Sequence, residues 1–158
     1  NLFPPPPPPH VYDNDIFTLV YGDGCNLSEF SDHSFHIAHS NSVIEHVGNW
    51  ESKVNFSREL QRVAKRYYLQ TPNYWFPIEP HFMTPFFHWL PKRLRIKLLL
   101  HFNLGNYRKA TTYNEARMNV ERVYLLTQKE LNYLYPSSQN KYYKEKWGGF
   151  VKSLIIIK

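Results

Sequence analysis

The order of three strand-like segments and one amphipathic helix constrains the fold of this chain most strongly. Residues 16–21, 35–40 and 67–71 are rich in the β-branched and aromatic side chains that strands favour. Between the second and third segments, Asn49 can cap a helix with one apolar face. An alternation of strand, helix and strand is typical of parallel sheets with right-handed crossovers. The pattern therefore predicts an α/β fold with a mostly parallel sheet.

The helix predicted after Asn49 has an apolar face and a charged face. Phe56, Leu60 and Val63 recur at helical spacing and would pack on the sheet. Lys53 falls on the opposite, charged face. We therefore expect Lys53 to be exposed to solvent.

Two adjacent glycines indicate how the predicted sheet ends. Gly148 and Gly149 separate the strand-like residues 141–147 and 150–158, which is a strong signal for a tight hairpin. The sheet is therefore expected to finish in an antiparallel pair at its edge. Before this hairpin, residues 73–126 break the alternation with prolines, aromatics and helical stretches. We interpret them as an insertion over the carboxyl edge of the sheet that shapes a substrate pocket.

Two further helices have clear start signals. Pro91 can open a helix in which Leu94, Leu98 and Phe102 form an apolar stripe. Residues 127–130 read Thr-Gln-Lys-Glu, which is a capping box and predicts a short helix before the hairpin.

Length and composition limit the possible classes of protein. The 158 residues correspond to one domain. The net charge of +6 is scattered along the chain, so we do not expect nucleic-acid binding. The single cysteine, Cys25, excludes an internal disulfide and favours a cytoplasmic protein. No apolar run approaches the roughly 20 residues of a membrane span, and the sequence leaves the oligomeric state open.

The chain starts with Asn1 and not with Met, and six prolines follow at residues 4–9. Consecutive prolines favour the polyproline II conformation. We interpret residues 4–15 as a proline-rich connection between two elements. Docking of this run on an SH3-like partner is the alternative. The first residue indicates that the chain belongs to a longer protein, and we expect further sequence before it.

Residues 40–47, SNSVIEHV in one-letter code, form the best candidate for a ligand site. They follow the predicted strand at 35–40 and are small and polar at their start. Open α/β sheets bind ligands beyond the carboxyl ends of their strands. The sequence therefore predicts a binding site at this loop.

In this run and four other motifs, the chain resembles the class I S-adenosylmethionine-dependent methyltransferases of small molecules. The other motifs occur in the order expected for that family, and they are Gly22-Asp23-Gly24, Ser34-Phe35-His36, Gln70-Thr71-Pro72-Asn73 and Lys152-Ser153-Leu154-Ile155. The resemblance implies a Rossmann-like methyltransferase sheet, mostly parallel with an antiparallel edge hairpin. It also implies that the family's Gly-rich loop and first strand would precede Asn1, so that this chain is truncated at its N-terminus.

The resemblance assigns several residues to the cofactor S-adenosylmethionine. Asn1 and Leu2 would contact the ribose and the adenine face, Asp23 would accept a hydrogen bond from the adenine amino group, and His46 would lie near the methyl group. The full set of implied cofactor-binding residues is Asn1, Leu2, Asp23, Gly24, Cys25, Ser40, Asn41 and His46.

Methyl transfer is an in-line displacement that needs alignment, and a base only when the acceptor must lose a proton. Glu79 and His81 lie in a proline-stiffened loop and are the candidate bases. Alternatively, the two side chains only fasten the insertion to the sheet. Tyr74, Trp75 and Phe76 would line the acceptor pocket, or would pack beneath the insertion instead.

The sequence predicts no metal site. His36 and His39 are three residues apart on a predicted strand and therefore face opposite sides. The function expected from the sequence is methyl transfer from S-adenosylmethionine to a small molecule. This chain would be the C-terminal part of the enzyme, and this part alone would be inactive. The alternative is a catalytically inactive, methyltransferase-like fragment that acts as a protein-interaction module.

Overall fold

A computed structural model describes residues 12–13, 16 and 18–158 of the chain. The strands in chain order are β1 Tyr12–Asp13, β2 Thr18–Leu19, β3 Phe35–Asn41, β4 Ala64–Pro72, β5 Ile78–Glu79, β6 Thr84–Pro85, β7 Lys141–Trp147 and β8 Phe150–Ile157. The α-helices are α1 Trp50–Val63, α2 Lys92–His101, α3 Tyr113–Glu121 and α4 Gln128–Leu134, and short 3-10 helices cover Ile44–His46 and Phe87–Trp89. The four longest strands form the central sheet.

The central sheet is mixed, so the predicted mostly parallel Rossmann-like sheet is wrong. The strand order is β3-β4-β8-β7. β3 and β4 pair in parallel, whereas β8 is antiparallel to both of its neighbours, β4 and β7. The difference arises because the returning strand of the hairpin lies inside the sheet, where it reverses the direction at two of the three pairings.

The hairpin predicted around Gly148 and Gly149 is confirmed. The two glycines have φ angles of 54° and 87°. Positive φ at both central residues is the signature of a type I′ turn, whose twist matches that of the flanking strands. Trp147 pairs with Phe150 across the turn, and the register shifts between Glu145 and Lys146. β7 is exposed along its length, whereas β8 contributes buried residues to the core.

Helix α1 forms where the sequence predicts it. The Asn49 side chain accepts a hydrogen bond from Ser52 N at 2.9 Å and caps the helix. Phe56, Leu60 and Val63 are all buried, which confirms the apolar face. The chain passes from α1 directly into β4, so the helix fixes where β4 starts.

The prediction that Lys53 faces solvent is wrong, because its side chain has no exposed surface. Its Nζ atom donates a hydrogen bond to Gly48 O at 2.7 Å and lies 4.8 Å from the centre of the Tyr124 ring. The loop after α3 covers this side of α1. The periodicity of α1 does not reveal that cover, because it lies more than 60 residues further along the chain.

The buried strand predicted at residues 16–21 is also wrong. The described part of this run contains only the two-residue strand β2, which pairs with β1. Ile16 is 89% exposed and Leu19 is 57% exposed, because no layer of the described chain covers them. Asn1, Leu2 and the proline-rich connection at 4–15, apart from β1, lie outside the described residues.

Two apolar clusters stabilise the described chain. The larger one joins the sheet to α1 and α4, and its buried members are Ile44, Phe56, Leu60, Tyr67, Leu69, Leu126, Leu131, Leu134, Tyr135, Leu154 and Ile156. The smaller one lies within residues 73–126, and its buried members are Phe82, Phe87, Ile96, Leu99, Ala110, Ala116 and Val120. Residues 73–126 therefore have a small core of their own.

Helix α2 is present, but of its predicted apolar stripe only Leu98 packs against the smaller cluster. Leu94 and Phe102 are 41% and 57% exposed, whereas Ile96 and Leu99 are buried against α3 and the preceding loop. The capping box at Thr127 is confirmed at the start of α4. None of the helices in the described part of the chain is both long and apolar enough to cross a membrane.

Strand β3 lies at one edge of the central sheet. Among the described residues it pairs with β4 and with no second strand. Phe35 and Ile37 on this strand are 40% and 66% exposed. The edge therefore presents apolar side chains and free backbone groups to solvent.

Candidate functional site

The candidate site lies where β3 and β4 end. Because the two strands are parallel, their carboxyl ends meet at the same edge of the sheet. Ser42 follows β3 with a φ of 54°, and its backbone N–H donates to Gln70 O at 3.0 Å. Its hydroxyl donates to Gln70 Oε1 at 3.0 Å. These contacts turn the chain from β3 into the 3-10 helix at Ile44–His46.

Glu45 is fully buried at this edge. One carboxylate oxygen, Oε2, accepts a hydrogen bond from Thr71 Oγ1 at 2.9 Å. The other, Oε1, is buried and has no hydrogen-bond partner among the described residues. Burying an unpaired carboxylate oxygen is costly, so this atom is a candidate ligand for a bound group.

Two histidine side chains meet beside Glu45. The Nε2 atoms of His46 and His81 are 3.0 Å apart, and the rings are nearly perpendicular. The other nitrogen of His46, Nδ1, lies 3.4 Å from Arg122 O. Segments that are far apart in sequence thus bring two ring nitrogens into direct contact.

Glu79 holds the His81 ring in place. Its Oε1 atom lies 2.5 Å from His81 Nδ1, and its Oε2 atom accepts a hydrogen bond from Phe82 N at 2.6 Å. The Glu79 side chain is 1% exposed. The hydrogen bond to Glu79 raises the pKa of His81 above its usual value, although burial acts in the opposite direction. The Nδ1 proton is therefore fixed on the Glu79 side, and Nε2 faces His46.

A glycine turn supports the loop that carries Glu79 and His81. Gly105 has a φ of 53°, and a Cβ atom there would lie 2.4 Å from the Phe82 carbonyl carbon. Asn106 N donates a hydrogen bond to His81 O at 3.1 Å. A residue without a side chain is thus required at position 105 for the turn to approach this loop.

Glu45, His46 and His81 have the residue types and spacing of a metal-ligand set. One ligand atom from each lies within 4.8 Å of the other two. Two imidazoles and a carboxylate are common ligands of transition-metal ions. The sequence motifs do not suggest this group, since Glu45 and His81 belong to different motifs.

Two cavities adjoin the site. The larger has a volume of about 870 Å³ and is lined by the start of α1, by Thr127 and Glu130, and mainly by residues between Tyr74 and Leu125. The smaller, of about 530 Å³, is lined by residues of β3, β4 and β8 and by His81. Glu79 lines the larger cavity and His81 lines the smaller one, so their hydrogen bond connects the two.

The three residues predicted to line the acceptor pocket lie in different places. Tyr74 lines the larger cavity, and its carbonyl oxygen accepts hydrogen bonds from His88 and Trp89. Phe76 lines the smaller cavity. Trp75 is 62% exposed and lines neither of the two.

The residues predicted to bind the cofactor are also separated. Asn41 lines the smaller cavity, while Ser40 is buried and its hydroxyl has no partner among the described residues.

The Asp23 carboxylate accepts a hydrogen bond from Cys25 N and closes its own turn. A Cβ at Gly24 would lie 2.9 Å from the Phe56 ring, so this turn packs on α1. Burial, assisted by Asp23, raises the pKa of the Cys25 thiol to about 11, so it is not a reactive thiolate.

Sequence reasoning missed three polar groups of the site. One of them is Glu45. The other two, Arg95 and His88, line the larger cavity, and Arg95 Nε and His88 Nδ1 are buried without a partner among the described residues. Burial lowers the pKa of His88 below its usual value. The position of Glu45 directly before His46 was the one available signal. Arg95 and His88 gave none, because His88 lies among aromatic residues without a clear period and Arg95 lies between other basic residues of α2.

No protein-family model matches the chain, and no solved structure matches it significantly. Uncharacterized protein MT1557 and Uncharacterized protein Rv1509, from the CDC 1551 and H37Rv strains of Mycobacterium tuberculosis, are each 34% identical to this chain over 83 residues. The matched segment covers 52% of this chain and 28% of each relative. The match thus spans little more than a quarter of either relative, and both are described as uncharacterized.

Proposed function

We propose that this chain is part of an S-adenosylmethionine-dependent methyltransferase that acts on a small-molecule acceptor. The observation that carries the proposal is the contact between His46 Nε2 and His81 Nε2 at 3.0 Å. His46 belongs to the run that the family resemblance assigns to the methyl end of the cofactor, and His81 belongs to the predicted catalytic loop. Methyl transfer depends on bringing donor and acceptor into line, and this contact joins the two segments that would do so.

The larger cavity is the proposed acceptor pocket. Its volume of about 870 Å³ is in the range of small-molecule sites, which is roughly 300–1,000 Å³. Tyr74 contributes to its wall, and Glu79 lies where the cavity approaches His81. In this proposal Glu79 orients His81, and His81 helps to activate the acceptor group that receives the methyl. The compartment proposed for this chemistry is the cytoplasm, in keeping with the single thiol of Cys25.

Calorimetric titration of S-adenosylmethionine into the full-length protein tests the proposal. We expect binding, and we expect Asn41→Ala to weaken it about 5- to 10-fold because a hydrogen bond to the cofactor is lost. Asn114→Ala is a matched control, since Asn114 is exposed on α3 and lies outside both cavities.

The proposal fails if the full-length protein does not bind S-adenosylmethionine while it remains folded by circular dichroism. The interaction-module alternative would then be favoured. Equal affinities for the wild type and Asn41→Ala would instead show that Asn41, which lines the smaller cavity, does not contact the cofactor.

A further inference from the structure

We propose that Glu45, His46 and His81 bind one divalent transition-metal ion, for which Zn²⁺ is the reference. The binding site is argued from geometry alone. Its role in activating the methyl acceptor rests on the function proposed above. The two parts are therefore tested by separate measurements.

The spacing of the two histidines fits a shared ion. Two nitrogen ligands that each lie about 2.0–2.1 Å from one ion are about 2.8–3.4 Å apart when they subtend about 90–110°. The observed distance between His46 Nε2 and His81 Nε2 is 3.0 Å. A hydrogen bond between two rings could have the same length, so the remaining groups of the site decide between the two interpretations.

The outer nitrogens of both rings face acceptors. His81 Nδ1 lies 2.5 Å from Glu79 Oε1, and His46 Nδ1 lies 3.4 Å from Arg122 O. Histidine ligands of metals almost always donate their second ring N–H to a carboxylate or to a backbone carbonyl. With Nδ1 of each ring donating in this way, both Nε2 atoms keep a lone pair available for an ion.

Glu45 supplies the third ligand and the charge. Its Oε1 atom is buried without a hydrogen-bond partner, and the side chain forms no ion pair within the described part of the chain. The Lys53 ammonium of α1 interacts electrostatically with Glu45 but donates its hydrogen bond to Gly48 O. A divalent ion would satisfy the orphan oxygen. A hydrogen bond between the two histidines alone would not explain why this carboxylate oxygen is buried without a partner.

Three protein ligands would leave positions on the ion open to an acceptor group. His46 and the approach to His81 are partly exposed, so a small molecule can reach this point. Coordination lowers the pKa of a bound hydroxyl group. In the transfer step, the acceptor O–H would lose its proton to solvent, a new O–CH₃ bond would form and the S–CH₃ bond of the cofactor would break. His81 would then act as a ligand and not as the base that the sequence suggests.

Titration of the full-length, chelator-treated protein with Zn²⁺ in the absence of S-adenosylmethionine tests the site. We expect one ion per chain. Glu45→Gln and His46→Asn should each weaken binding at least about 10-fold, because each removes a ligand. His36→Asn is the matched control, since His36 is also an exposed histidine near the start of β3 and lies outside the cluster. Co²⁺ in place of Zn²⁺ should give visible absorption bands that His46→Asn alters and His36→Asn does not.

Two results would overturn the metal site. One is the absence of stoichiometric Zn²⁺ binding by protein that is folded. The other is binding that Glu45→Gln and His46→Asn leave unchanged. If Zn²⁺ binds as expected but S-adenosylmethionine does not, the metal site stands and the proposed function fails.

Discussion

At the scale of single residues, the buried Lys53 shows how the fold overrides a sequence pattern. A lysine among charged neighbours on one helical face is normally solvated. Here the loop carrying Tyr124 covers it, and burial lowers its pKa to about 8 from 10.5. Below pH 8 the amine is protonated in both the folded and the unfolded chain. Burial of its charge then lowers the free energy of unfolding by the full amount.

This burial predicts a specific dependence of stability on pH. Because the folded state releases the Lys53 proton first, the free energy of unfolding should rise between about pH 8 and pH 10.5 by about 1–3 kcal/mol. Urea unfolding at several pH values measures it. Lys53→Met should lack that part of the rise, and Lys65→Met, which removes an exposed lysine of β4, should retain it. If the free energy of unfolding depends on pH in the same way for the wild type and Lys53→Met, the pKa of Lys53 is not lowered by burial.

At the scale of elements, local signals were sufficient where a motif determines its own structure. The Asn49 cap, the Thr127 capping box and the glycine turn at 148–149 all specify their elements through contacts within a few residues. The α2 stripe and the strand at 16–21 could not be predicted in this way. Their exposure depends on which other elements cover them, and apolar residues on two faces of α2 fit either orientation.

The support that Gly105 gives to the loop carrying Glu79 and His81 leads to a prediction at this scale. Gly105→Ala should lower the free energy of unfolding by more than about 2 kcal/mol, because the new methyl group would collide with the Phe82 backbone. Gly148→Ala is the control. Gly148 has nearly the same φ, 54°, but nothing lies within 4 Å of its Cβ position. This change should cost only about 1 kcal/mol for the backbone conformation. Equal thermal shifts for the two variants would contradict the close approach at position 105.

At the scale of the whole molecule, the sequence identified the two segments that meet at the candidate site, but not the side chains that face each other there. The run at 40–47 and the loop with Glu79 and His81 were both identified, and the fold brings them together. Glu45 and the facing Nε2 atoms were not foreseen, because the loop fold that joins His46 to His81 depends on residues as distant as Gly105 and Arg122. The sequence also did not predict the directions of the strand pairings, since the hairpin signal does not show which strand of the hairpin will pair with β4.

The exposed edge of β3 affects the solubility of this chain when it is produced alone. An unpaired edge with apolar side chains is a template for another strand, and proteins usually block such edges with charge. We therefore expect the isolated chain to self-associate at micromolar concentrations, as light scattering after gel filtration would show. Ile37→Lys should reduce this association, whereas Tyr133→Lys, at an exposed aromatic of α4, should not. If so, a single lysine on β3 is the first change to make when the chain is to be kept in solution for the titrations above.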